Sequence, residues 1–194
     1  MDPRQERTRS SLRSAVLDLA AHRPVGSLSV TEVARAAGIT RDTFYRHAAS
    51  PVELLATVLE EELRRIDPPT RGGADEFVRA ETRLLQHVAA RREIYRRALV
   101  EGAEGRVRQV LQAVLAARLG EYLQDHPQDA PAVPDGLGDD VTREILVAYS
   151  AAGTVEAITA WLRAGGDEDD IPALARTIVA VGPPSWNRPV GRTP

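Results

Sequence analysis

Apolar positions recur along this chain every three or four residues, and strict alternation is absent, so the pattern predicts helices throughout and no strand. In residues 4–22 the apolar stripe is Leu12, Val16, Leu19 and Ala20, and Pro24 followed by Gly26 ends the segment. Val30, Val33, Ala34 and Ala37 form the stripe of a short second helix, opened by the capping box Ser29–Glu32. Gly38 follows, where a helix end needs a left-handed residue, and Thr40 caps a third helix over 40–47 with Phe44 as its large buried residue. A second capping box, Ser50–Glu53 with Pro51 in the first turn, starts a helix through Leu54, Leu55, Val58, Leu59, Glu62, Leu63 and Ile66 that stops at Pro68-Pro69.

Beyond a break at Thr70–Gly73 the helical period continues. One stripe runs through Phe77, Leu84, Leu85 and Val88, and a shorter one holds Ile94, Tyr95, Ala98 and Leu99. A longer one extends from Val107 to Tyr122. A Pro- and Gly-rich loop over 126–138 leads to 140–164, which is apolar nearly all the way round and must be covered on more than one face. A last helix is expected over about 170–181. These breaks divide the chain into a front module of 1–50, a connecting helix of 51–69, a larger helical domain of 70–182 and a disordered tail of 183–194.

Composition narrows the chemistry. The chain has no cysteine, and all 25 of its basic residues are arginine. Disulfides, thiol nucleophiles, Schiff bases and a phosphate-cradling lysine are therefore excluded. The four histidines, His22, His47, His87 and His126, have no ligand-like spacing with carboxylates, so no metal is expected. No catalytic constellation emerges, and no cofactor. The polar N-terminus and the lack of a continuous apolar run of about 18 residues predict a cytoplasmic protein without a membrane segment. Net charge is −3, but residues 1–50 carry 8 arginines against 5 acids, net +3, while the remainder carries 17 against 23, net −6.

That basic front contains two short helices joined by a tight glycine turn, the plan of a helix-turn-helix. Burying Phe44 leaves Arg41, Asp42, Thr43, Tyr45, Arg46 and His47 facing outward. Hydroxyls, tyrosine and arginine suit phosphate oxygens, and arginine and threonine can read base edges in a major groove. Composition alone leaves two readings open: a merely solvated helix face, or a surface for nucleic acid.

The stretches LDLAAH, LSVTEVARAAGITRDTFYRH and ELLATVL, within residues 8–63, resemble the DNA-binding domain of the TetR family of bacterial transcriptional regulators. The resemblance implies that Thr40, Tyr45 and His47 hold phosphates, that Arg41 and Thr43 reach bases with Arg46 at the groove edge, and that Ser29 and Thr31 touch the flanking backbone. Two positions depart from the family pattern. Ala48 stands where Phe is usual, and Pro51 where Lys is usual, which removes an ammonium and a backbone donor near a phosphate. Arg4, Arg7 and Arg9 would compensate as a flexible arm.

For the rest of the chain the resemblance extends to length and layout. It implies an all-α ligand-binding and dimerisation domain, with the helices over about 140–181 pairing with their copies. Ala148, Ala152, Gly153 and Ala157 would allow a close crossing. A two-fold dimer would meet a palindromic operator, and an unknown small-molecule effector would lie among the helices of 73–164. The polar and aromatic candidates to line that site are His87, Tyr95, Tyr149, Glu156 and Trp161. The expected function is a homodimeric repressor released by its effector. The rivals are a helical small-molecule-binding protein or enzyme with a vestigial front module, and a structural dimerisation module.

Overall fold

The computed structural model describes residues 3–69, 73–102, 105–130 and 138–182, and among these every regular element is helical. The helices are α1 (Pro3–His22), α2 (Val30–Ala36), α3 (Arg41–Tyr45), α4 (Pro51–Arg64), α5 (Ala74–Ala90), α6 (Arg92–Leu99), α7 (Gly105–Asp125), α8 (Asp139–Arg163) and α9 (Ile171–Val181). The expected tail 183–194 and most of the loop 126–138 lie outside the described residues.

The chain divides into two compact units. Unit one is Met1–Glu62 with Arg91–Val110, and unit two is Leu63–Ala90 with Leu111–Pro194. The division differs from the front boundary expected at residue 50, because α6 belongs with α1 rather than with the helices around it in sequence. Arg97 of α6 donates to the carbonyls of Ala20 (3.1 Å) and Ala21 (2.5 Å), closing the C-terminal end of α1. Glu62, its side chain only 9% exposed, accepts from Arg13 of α1 (2.5 Å) and from Arg91 (3.0 Å), while Arg9 pairs with Glu61. A nearly buried carboxylate needs such partners, since desolvating it alone is costly. These contacts tie α1, α4 and α6 into the platform on which α2 and α3 rest.

The core of unit one is aliphatic around two aromatic rings, with Leu12, Val16, Val33, Leu55, Leu59, Phe44 and Tyr95 almost wholly shielded from water. Of the expected Ser50–Glu53 box only one half is made. The Glu53 amide donates to Ser50 Oγ (3.2 Å), but the Glu53 carboxylate turns to Arg106 (3.2 Å).

Unit two packs α5 against α9, and a cluster of Phe77, Tyr122, Leu123 and Val179 sits in its core. The Phe77 and Tyr122 rings meet edge to face, their centroids 5.2 Å apart. The acidic run Asp167–Asp170 caps a turn ahead of α9: the Asp167 amide donates to Asp170 Oδ2 and the Asp169 amide to Asp167 Oδ1, both at 2.9 Å. Trp161 lies so close over Gly166 that a Cβ there would stand 2.0 Å from its ring, so only glycine fits.

α8 is long and apolar enough, by length and composition, to cross a bilayer, contrary to the expectation drawn from continuous runs. Ser150, Thr154, Glu156 and Thr159 break the continuous run, yet the average stays apolar. Only 39% of its most apolar window is buried, however, so it is not simply the central helix of unit two.

Candidate nucleic-acid interface

Backbone chemistry sets the turn between α2 and α3. Ser29 accepts from the Glu32 amide at 3.2 Å, and the Glu32 carboxylate takes the Ser29 amide at 2.8 Å, so the first capping box is complete. At the other end of α2 the Gly38 amide donates to the Arg35 carbonyl (3.1 Å) and the Ile39 amide to the Ala34 carbonyl (2.9 Å), the Schellman pairing. It requires the left-handed backbone that Gly38 adopts, with φ 67°. The chain is thereby redirected, and Thr40 starts α3 by accepting from the Thr43 amide at 3.2 Å.

α3 spans Arg41–Tyr45, shorter than the expected 40–47. The amides of His47 (2.8 Å) and Ala48 (3.0 Å) both return to the Phe44 carbonyl, closing the end in a tighter turn. Phe44 is fully buried and anchors the helix. The eight residues singled out in the sequence are brought to the surface of this one unit. Ser29, Thr31, Thr40, Arg41, Tyr45, Arg46 and His47 are exposed and Thr43 is half-buried. Tyr45 is 52% exposed and its ring stands perpendicular to that of Phe44, their centroids 5.9 Å apart.

A short hydrogen-bond chain organises the exposed face. Arg46 donates to Thr43 Oγ1 at 3.0 Å, and Thr43 Oγ1 lies 3.0 Å from Thr40 Oγ1. Thr43 accepts from the arginine, and either threonine can donate across the pair they form. Ser29 differs, because its hydroxyl already faces Glu32 Oε2 at 2.8 Å.

The Glu32 carboxyl is held well below the usual range, at about 2, by the Ser29 backbone amide first and then by Arg23 and the Ser29 hydroxyl. A lowered folded value means that its stabilising contribution is present above the ordinary carboxylate range and is lost as pH falls through about 2. In an NMR pH series Glu32 should titrate well below other exposed glutamates, and Arg23→Ala should raise it; an ordinary midpoint would contradict the cap described.

The arm expected ahead of the first helix is itself helical. α1 begins at Pro3, Arg7 Nε donates to the Pro3 carbonyl at 3.2 Å, and Arg9 is engaged by Glu61. Pro51 is buried, so its ring packs inward where the resemblance would place a lysine for phosphate.

Residues 12–58, the segment that builds this turn and its supports, match the sequence profile of the bacterial regulatory proteins of the tetR family. The N-terminal module is that of a TetR-family regulator. The fold of the whole chain agrees. A TetR-family transcriptional regulator from Syntrophomonas wolfei superposes with TM-score 0.65 at 16% identity, covering 89% of this chain and 93% of that one. One from Streptomyces coelicolor gives 0.62 at 20% identity, with 93% and 81% covered. NalD, the secondary repressor of the MexAB-OprM multidrug efflux pump in Pseudomonas aeruginosa, gives 0.58 at 20% identity, with 89% and 95% covered.

Unit two of this TetR-type fold contains a cavity of about 610 Å³, its open mouth included. Phe77, Leu84, Leu115 and Leu119 form the apolar wall, and Glu81, Arg118 and Ser150 supply polar groups. Burial pushes the Glu81 carboxyl up to about 7, with Arg118 pulling the other way. Burial also lowers Arg118, and Arg83 beside it adds to the effect.

None of the five residues expected to line an effector site lies on this cavity. Tyr95 is wholly buried in unit one, where burial and then the Glu62 charge push its hydroxyl up. Tyr149 is 75% exposed and Glu156 is exposed, both on α8. Trp161 is buried and donates to Asp170 at 3.3 Å, and His87 is half-buried in the last turn of α5. Those five comprise three aromatic residues, an imidazole and the carboxyl of Glu156, whereas the cavity has the carboxyl of Glu81, a guanidinium and a hydroxyl. Each of these looks like an ordinary surface residue in the sequence.

Proposed function

We propose that this chain is a cytoplasmic, homodimeric DNA-binding regulator of transcription, a repressor that a small-molecule effector releases from a palindromic operator. The supporting observation is the exposed strip Thr40, Arg41, Thr43, Tyr45, Arg46 and His47 on a short helix that Phe44 and the Gly38 turn hold in a fixed direction. In this reading Thr40, Tyr45 and His47 take phosphates and Arg41 and Thr43 take bases. Arg46 leaves Thr43 for the groove edge, and Ser29 and Thr31 flank them. Phosphate contacts set register and base contacts set sequence.

The dimer is supported by α8. Val141, Ile145 and Tyr149 are large, apolar and exposed at one-turn spacing, and Ala148, Ala152 and Gly153 lie on the same stripe. A Cβ built on Gly153 would meet nothing within 4 Å, so packing within its own chain does not demand that small residue. A second copy crossing there does. Val181 on α9 is also apolar and exposed, at 76%. Pairing through α8 and α9 would cover the half of α8 that unit two leaves bare, which explains its apolar character without a membrane. The two α3 helices would then meet successive major grooves about 34 Å apart.

A double change, Ile145→Glu with Tyr149→Glu, puts like charges opposite each other across the two-fold axis. The expected result is a monomer in sedimentation with unchanged helicity, and operator affinity reduced at least a hundredfold. An intact dimer would contradict the proposed face. The sign of regulation is tested separately, because one similar structure is an activator of a dihydroxyacetone kinase operon. In a purified transcription assay, added protein should lower transcript from an operator-bearing promoter, and a rise would reverse the sign.

A further inference from the structure

The cavity in unit two holds three polar atoms that are shut off from water and have no hydrogen-bond partner: Glu81 Oε2, Arg118 Nη2 and Ser150 Oγ. They come from three helices, α5, α7 and α8. Native interiors rarely leave such groups unpaired, and an unpaired group faces a cost that a bound partner removes. Ser150 is the telling case. Three other helical hydroxyls in this unit bond back one turn, Thr82 to Val78 (2.7 Å), Thr159 to Val155 (2.7 Å) and Thr177 to Ala173 (2.9 Å), but Ser150 does not. Arg118 spends its Nη1 on the Leu63 carbonyl at 3.1 Å, which fixes the guanidinium plane and leaves Nη2 over.

We propose that the cavity takes a small amphipathic carboxylic acid, its chain against Phe77, Leu84, Leu115 and Leu119 and its carboxylate on Arg118 Nη2 and Ser150 Oγ. The inference rests on reading unit two as an effector domain and names the class of effector. The groups present decide among headgroups. Arg118 can only donate, Ser150 can donate, and Arg83 nearby adds a second positive charge that disfavours a cation. A neutral alcohol satisfies one donor at a time, whereas a carboxylate offers about four lone-pair sites to converging donors.

Glu81 then becomes the third donor. The charged groups around it are Arg118, which is itself influenced by Arg83 of α5, Asp67 of the loop after α4 and Glu121 of α7, while α8 contributes only the non-titrating Ser150 and Thr154. Bringing in a second carboxylate favours the protonated form of Glu81, whose hydroxyl then donates to the ligand. Binding therefore takes up a proton, and affinity rises as pH falls through the range where Glu81 loses its charge.

The test is calorimetric titration of the full chain with octanoate, 1-octanol and octylamine. Octanoate should bind at least tenfold more tightly than either analogue, and its affinity should rise about tenfold from pH 8 to pH 6. Arg118→Gln should abolish binding, Ser150→Ala should weaken it severalfold, and Glu81→Gln, which keeps a donor, should flatten the pH dependence. If Arg118→Gln fails to fold, Arg118→Lys together with the Ser150 and Glu81 variants carries the test, since a lysine keeps the charge but not the fixed Nη2. Equal or tighter binding of octanol or octylamine, no binding of octanoate, unchanged affinity in the Ser150 variant, or an unchanged pH dependence in the Glu81 variant would each overturn the proposal. Operator affinity measured alongside separates the two readings. Octanoate that binds without loosening DNA removes effector release and leaves the carboxylate site standing. A protein that grips its operator and ignores octanoate does the reverse.

Discussion

Phe44→Ala should remove about 3–5 kcal/mol from the stability of unit one, the range for deleting a fully buried phenylalanine side chain. It should also abolish duplex binding below the melting temperature. Phe44 is the one buried residue of α3, a helix of five residues. A helix that short has no stability of its own, because nucleation is unfavourable and few hydrogen bonds follow it. Its direction depends on the ring beneath it, so truncation frees the whole segment rather than leaving a passive hole. Amide exchange reports this directly. The His47 and Ala48 amides, both bonded to the Phe44 carbonyl, should lose protection in the variant while unit two keeps its own. Retained protection at these two amides would show that α3 is anchored by something else.

Arg41→Ala should cost about 1–3 kcal/mol per half-site and relax base preference at one position of each, which is the value of a well-made arginine–guanine pair. A dimer pays it twice. Tyr45→Phe removes only the hydroxyl, so it should weaken binding to all duplexes alike and leave the preference intact. Both substitutions lie on exposed side chains and should leave the melting temperature within about a degree, consistent with the small effects of surface changes. The pattern to look for is a change of selectivity in the first and a uniform loss in the second. Equal, sequence-independent losses in both would move Arg41 from the bases to the phosphates.

The ends of the helices were legible because their determinants are local. Ser29, Gly38, Thr40 and Pro51 act within four residues of themselves, and each sits in the structure where its chemistry demands. Phe44 and the outward set around it followed from the helical period alone. What escaped was long-range. Arg97 reads as one more charged residue on a short amphipathic helix, yet it closes α1 from 77 positions away. Glu62 falls on the apolar stripe of α4, but the two arginines that surround it come from other parts of the chain. The same holds for Glu81 and Arg118, whose burial depends on how α5, α7 and α8 meet. Periodicity reports which face of a helix is buried, but not which partner lies against it. Tyr95 is the clearest instance: its burial was legible, and its place in unit one rather than unit two was not.

The central claim is that a two-fold pair of these chains presents two copies of α3 to B-form DNA. Selection of bound duplexes from a random pool tests it most directly, because it presumes neither an operator nor a partner. The enriched sequences should be palindromic, with half-site centres about one helical turn or a whole multiple apart. Their affinity should fall steeply as salt rises, because arginine contacts release counterions from the phosphates. Enrichment of a single unrepeated site, or a pool that emerges as random as it began, would contradict the account.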